Sequence, residues 1–321
     1  MYLRLVLLAC LLAFIAVVFS AYARLSDAGL GCANWPACYE ENALKLRQVR
    51  SADSVLRTHD SWQWKLQNQV GLLMGILSIA ICAIAWRKRV EFRLSPLLPT
   101  LLVGLIVFLA VFGMTAFSYL PRSIIVPVHF AGGMALLILL TWIALRHMSP
   151  FSVVGNNARN WRNASRLGLV LLLIQIMLGS WVSANFAALA CTGFPLCNGA
   201  LLPAMDFSYS LERFGLPLSA EKLTAIHWMH RVGALLVFCY LSWLSLRIRD
   251  VEGMRTIAGI MLALLVLQTA LGIANVLLDL SLVSAVLHNA FAMLLLVILV
   301  LLNFRVQTMV TSSSNLSKIS S

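Results

Sequence analysis

Cys32-Ala-Asn-Trp-Pro-Ala-Cys38 returns later in the chain as Cys191-Thr-Gly-Phe-Pro-Leu-Cys197, 159 residues downstream. His129 and His288 are separated by the same interval. One unit is therefore present twice, each copy carrying a Cys-x5-Cys loop and a histidine at one register. The fold has to make the two copies equivalent, and the shared chemistry belongs between them.

The chain of 321 residues is 61% hydrophobic and 11% charged, with a mean hydropathy of +0.89. That is more apolar surface than a soluble core can bury, so the chain reads as an integral membrane protein. Eight apolar runs have about the 20 residues a helix needs to cross the hydrocarbon. They lie near 3–23, 67–86, 97–118, 123–145, 167–188, 224–246, 256–278 and 283–304. Arg4, the first apolar run and Ala21-Tyr22-Ala23 resemble a cleavable signal peptide. The run is longer than a signal core, and its repeat counterpart is a span, so it is read as retained.

The net charge of +12 does not mark a nucleic-acid binder. The cations stand beside helix ends: Arg87, Lys88, Arg89 and Arg93; Arg146, Arg159, Arg162 and Arg166; Arg247, Arg249 and Arg255. This is the positive-inside pattern. It places those linkers and both termini on the cytoplasmic side of the inner membrane, and segments 24–66 and 189–223 outside. Both Cys-x5-Cys pairs fall there, where an oxidising compartment permits the bridges Cys32–Cys38 and Cys191–Cys197; four free thiols is the alternative. Cys10, Cys82 and Cys239 sit in apolar runs as small core residues. No Walker sequence, dinucleotide loop or metalloprotease motif is present, which removes nucleotide chemistry.

The expected fold is an all-α membrane protein whose eight transmembrane helices form two tandem four-helix bundles. Residues 1–148 are the N-terminal unit, 149–166 a cytoplasmic connector, 167–305 the C-terminal unit and 306–321 a serine-rich disordered tail.

Depth separates the six histidines. His129, His230 and His288 each lie five or six residues into a span from its outer end, roughly 8–10 Å below the surface at 1.5 Å per residue. An intramembrane imidazole is costly unless it is paired or coordinating. His230 and His288, on separate helices at one depth, suit the two axial positions of a heme iron, which needs no further protein ligand. Zinc would need four ligands, and no Cys, Asp or Glu shares the layer. His227 shares a face with His230 one turn outward and is read as meeting a propionate, with axial ligation or a plain hydrogen bond as alternatives. Arg231 and Arg24 are outer-side cations able to pair with propionates or to snorkel. His59 and His147 fall outside the spans as surface residues. Gln175-x3-Gly179 and Gln268-x3-Gly272 echo each other as interhelical hydrogen-bonding groups.

The string Arg24-Leu25-Ser26-Asp27-Ala28-Gly29-Leu30-Gly31-Cys32, with Trp35-Pro36-x-Cys38, His129, Cys191 to Cys197, His230-Arg231, Gln268-x3-Gly272 and His288, resembles the heme A synthase family over nearly the whole chain. The resemblance implies a membrane enzyme that oxidises a methyl group of heme O to the formyl group of heme A for an aa3-type oxidase. It also implies a heme b held by the C-terminal histidine pair, matching His230 and His288, and a substrate heme served by the N-terminal pair. Heme O synthase and the assembling oxidase would be neighbours in the lipid; the electron donor is not specified, and a homo-oligomer is allowed.

Only His129 of the N-terminal pair is present. Where the family has Glu-x-x-His-Arg, this chain reads Trp64-Lys65-Leu66-Gln67-Asn68-Gln69-Val70-Gly71. Aligning Gly71 with Gly233 puts Asn68 opposite His230; anchoring on Trp62 puts Gln67 there; the strict interval puts Gly71 there. No register restores the histidine or the carboxylate, so no catalytic residue is assigned. Three readings stay open: a heme A synthase with His129 as sole ligand, a non-catalytic heme b homologue in heme handling or oxidase assembly, and an electron-transfer cytochrome b.

Overall fold

A computed structural model describes residues 1–27, 62–92, 95–119, 122–148, 160–208 and 218–319. Cys32, Cys38 and His59 lie outside these residues, so the first expected bridge does too. The described chain is helical: α1 (Tyr2–Asp27), α2 (Trp62–Arg87), α3 (Leu97–Tyr119), α4 (Arg122–His147), α5 (Arg162–Ala184), α6 (Ala220–Ile248), α7 (Arg255–Leu277) and α8 (Leu282–Ile319). All eight are long and apolar enough to cross a membrane, as the sequence indicates, and the protein is a multi-pass membrane protein.

Boundaries differ where the amide backbone outruns the apolar run. Helix α5 starts at Arg162 rather than 167, because its basic first turn is still helical, and it ends where Phe186 turns left-handed at φ 56°. Helix α8 continues to Ile319, through the stretch from 306 expected to be disordered. Extending an existing helix costs little once it has nucleated.

Helix contacts close two four-membered rings, α1–α2–α3–α4 and α5–α6–α7–α8. The rings meet through α4 with α8, flanked by α1 with α8 and α4 with α5. A two-fold relation exchanging α1 with α5 and α4 with α8 requires this pattern of contacts. Burial keeps the repeat's register. The buried positions Val6, Ala9, Ala13, Val17, Ala21 and Ala23 of α1 are, 159 residues on, Ser165, Gly168, Leu172, Ile176, Ser180 and Val182 of α5.

Helix α2 departs from that interval. Its buried residues Met74, Ser78, Ile81 and Ala85 fall on Val237, Leu241, Leu244 and Ile248 of α6 at an interval of 163. The difference is about one helical turn, so the same face is kept and the helix is shifted along its axis. Gln67 therefore takes the place of His230, and the alignment on Asn68 turns off the buried face.

Polar ties hold helices within the second ring, and one aromatic contact joins the two rings. Asn303 Nδ2 on α8 donates to the Ser165 carbonyl of α5 at 3.0 Å. The Tyr240 hydroxyl of α6 donates to the Ala164 carbonyl at 2.9 Å, and Trp142 of α4 meets Phe304 of α8 edge-on at 5.2 Å. At the inner end His147 packs between Tyr2 (4.5 Å) and Phe92 (4.8 Å). It is a packed residue that ties α1 and the α2–α3 linker to α4, rather than the surface residue expected.

Small residues set how closely the helices approach. A Cβ on Gly168 would stand 3.0 Å from Leu241 and 3.3 Å from Leu244, whereas one on Gly259 would meet nothing within 4 Å. Gly168→Val should therefore lower the melting temperature of the detergent-solubilised protein, with an overpacking cost of about 1–3 kcal/mol. Gly259→Val should leave it near the wild-type value; equal melting temperatures for the two variants would contradict this packing.

Candidate functional site

In each ring, helices opposite one another share a diagonal. His230 stands on α6 and His288 on α8, one diagonal of the second ring. Gln175 on α5 and Gln268 on α7 form the other. Both imidazoles keep partial accessibility although the helices around them are packed.

The glutamines reach the histidines of the next helix. Gln175 Nε2 lies 3.0 Å from His230 Nδ1 and donates to the His230 carbonyl at 3.0 Å. His288 Nδ1 lies 3.1 Å from the Gln268 carbonyl, and Gln268 Nε2 lies 3.1 Å from His288 Nε2. Each glutamine is followed one turn later by a glycine against the same ring. A Cβ on Gly179 would stand 3.0 Å from His230 Cε1, and one on Gly272 3.1 Å from His288 Cε1. The Gln-x3-Gly echo seen in the sequence is thus a cradle for an imidazole, and sequence alone did not say which histidine each would meet.

In the first ring, His129 of α4 sits against Gly113, where a Cβ would fall 3.1 Å from its Nε2. Gly113 and Gly272 are related by the repeat interval, a signal present in the sequence but unused. Phe112 stacks near the imidazole at 5.6 Å. Its Nδ1 is buried and has no hydrogen-bond partner among the described residues. On the diagonal helix α2, residues 65–69 are exposed and nothing lies within 4 Å of a Cβ on Gly71. Lys65 is the one ionisable side chain in that outer third of α2.

His227 and Arg231 both contact the outer loop. His227 is 5% exposed; its Nδ1 faces the Cys191 N–H at 3.3 Å and its Nε2 the Arg231 Nε at 3.3 Å. Arg231 also donates to the carbonyls of Cys191 (2.7 Å), Gly193 (3.0 Å) and Leu196 (3.2 Å). Its guanidinium bonds the outer loop that the Cys191–Cys197 disulfide closes, and hydrogen bonding is one of the readings left open for His227. Arg24 lies over the Phe130 ring at 5.5 Å. Further out, Lys222 pairs with Asp206 at 3.6 Å. Hydrogen bonding from Ser208, and then Lys222, holds the Asp206 carboxyl below its usual range.

The chemistry of the donor set decides which group these residues fit. No cluster of three or more His, Cys, Asp or Glu side chains occurs among the described residues, so a tetrahedral metal site is not assembled. Two imidazoles on diagonal helices of one bundle, each beside a glycine, suit a planar macrocycle that brings its own four equatorial nitrogens. The apolar groove of about 480 Å³ between α4 and α5, lined by Pro127, Met177 and Trp181 among others, holds no histidine.

A family model described as cytochrome oxidase assembly protein, COX15-CtaA, matches residues 3–300. A heme A synthase of Shewanella oneidensis is 34% identical over 311 residues, covering 90% of this chain and 92% of the relative. Heme A synthases of Symbiobacterium thermophilum (29% identity, 86% and 85% covered) and Halalkalibacterium halodurans (27%, 85% and 86%) match over similar lengths.

The Arg231 contacts give a direct test. Arg231→Leu leaves three loop carbonyls and His227 without their donor. The Cys191–Cys197 bridge should then be reduced and labelled by a maleimide faster under mild dithiothreitol; an unchanged labelling rate would show that Arg231 does not hold the loop.

Proposed function

The chain belongs to the COX15-CtaA family of cytochrome oxidase assembly proteins, and from that membership we propose that it is a heme A synthase that oxidises the heme O methyl group to the formyl group of heme A. The observation that carries the reading is the His230–His288 diagonal, cradled by Gln175, Gly179, Gln268 and Gly272, in a chain whose relatives bear that name over nearly their full length. Methyl to formyl is a four-electron oxidation that adds one oxygen atom.

A resident heme b held by His230 and His288 supplies a low-spin iron able to pass single electrons. The chain's own residues do the rest. Gly179 and Gly272 keep the imidazole edges free of side chains. Arg231 and His227 fix the disulfide loop over the outer end of α6, which limits water entry. The first ring serves the substrate heme, with His129 as the imidazole available to its iron. Gln67 stands where the second histidine would be; a neutral amide ligates iron poorly, so His129 would be the protein side chain that holds the substrate heme. Proton handling there falls to His129 and water, since α2 offers no carboxylate in its outer third. We place both termini on the cytoplasmic side of the inner membrane, with heme O synthase and the assembling oxidase as neighbours.

Expression beside heme O synthase in a host lacking its own heme A synthase should yield extractable heme A. His129→Ala should abolish it while sparing a low-spin heme, and His230→Ala or His288→Ala should remove most of that bound heme. Accumulation of heme O with heme b still bound would show a non-catalytic homologue instead.

A further inference from the structure

The two rings differ in one device. At the repeat interval, Gln175 corresponds to Ala16 and Gln268 to Leu109. The correspondence of α1 with α5 is fixed by their shared burial pattern, and that of α3 with α7 by the matching contacts of Gly113 with His129 and Gly272 with His288. Leu109 does not reach His129; it packs across Gly132, one turn inward, where a Cβ would collide with it.

We propose that Gln175 is a positioning residue that holds the His230 imidazole for a resident heme, while Gln268 holds His288 through its backbone carbonyl and keeps its Nε2 covered until the heme binds. The proposal rests on the heme b reading above.

The two glutamines act differently. Gln175 meets His230 at Nδ1, the nitrogen that remains when the other ligates iron. Its Oε1 is buried and has no hydrogen-bond partner among the described residues; it is the acceptor that an Nδ1–H needs, and turning the amide supplies it in exchange for the Nε2 bond to the His230 carbonyl. Gln268 holds His288 Nδ1 through its backbone carbonyl and covers His288 Nε2 with its side-chain amide. That keeps the buried Nε2 satisfied until iron displaces the amide, whose Oε1 is likewise without a partner. A metal-ligating histidine with its second nitrogen held is oriented and made more basic, an effect worth about 10–100-fold in affinity. His129 has no such partner, its Nδ1 being the orphan. A substrate heme must leave as product, and an unheld ligand favours release.

The test uses the full-length protein purified with its heme. Gln175→Met and Gln268→Met keep side-chain length without the amide. Gln175→Met should still bind heme, with altered low-spin electron paramagnetic resonance g-values, a shifted midpoint potential and about tenfold faster transfer to apomyoglobin. Gln175→Glu, which keeps an acceptor beside Nδ1, should restore slow transfer. Gln268→Met should leave heme-loaded transfer near wild type and lower the melting temperature of the heme-free protein. Wild-type g-values, potential and transfer rate in Gln175→Met would overturn the positioning role while the heme reading stood. Absence of a low-spin heme from the wild type, or its retention in both His230→Ala and His288→Ala, would overturn the heme reading itself.

Discussion

An imidazole or amide inside an apolar bundle has to find a partner, because no water is there to take its hydrogen bonds. That constraint ties α5 to α6 through Gln175 and His230, and α7 to α8 through Gln268 and His288. The remaining contacts of the second ring follow from these two registers. Gly179 and Gly272 are glycine because the rings they face lie about one van der Waals contact away. Gly233 is glycine because a Cβ there would collide with the Gln175 amide oxygen.

The same constraint separates the halves. Where the second ring spends two glutamines on fixing its imidazoles, the first has Ala16 and Leu109, an open outer α2 and one histidine. A duplicated unit has thus been kept in backbone and burial while its polar interior has diverged. The equivalence of α1 with α5 extends to six buried positions, while polar groups differ both in the histidine layer and at the inner end, where Asn303 and Ser165 stand in place of Ala144 and Val6.

Much of this was legible in the sequence. Span length and hydropathy gave eight helices because the thickness of a bilayer sets a length that composition can meet or fail. The interval between the Cys-x5-Cys loops gave the repeat, and depth along the spans gave the histidine layer. Other features were hidden because they depend on rotation about helix axes. His227 and His230 share a face, yet one is claimed by the loop and the other looks across the bundle. The Gln-x3-Gly echo was visible without its target, and the one-turn shift of α2 shows only when buried faces are compared. His147 reads as an end-of-helix residue until Tyr2 and Phe92 are seen around it.

The central claim is that the two rings treat heme differently, and a cryo-electron-microscopy structure of the protein saturated with heme O tests it most directly. The account predicts one macrocycle in the second ring with iron bound by both His230 and His288, and a second in the first ring with His129 as its only protein ligand. A first-ring iron bound on both faces by protein side chains, or a second-ring heme not held by His230 and His288, would contradict it.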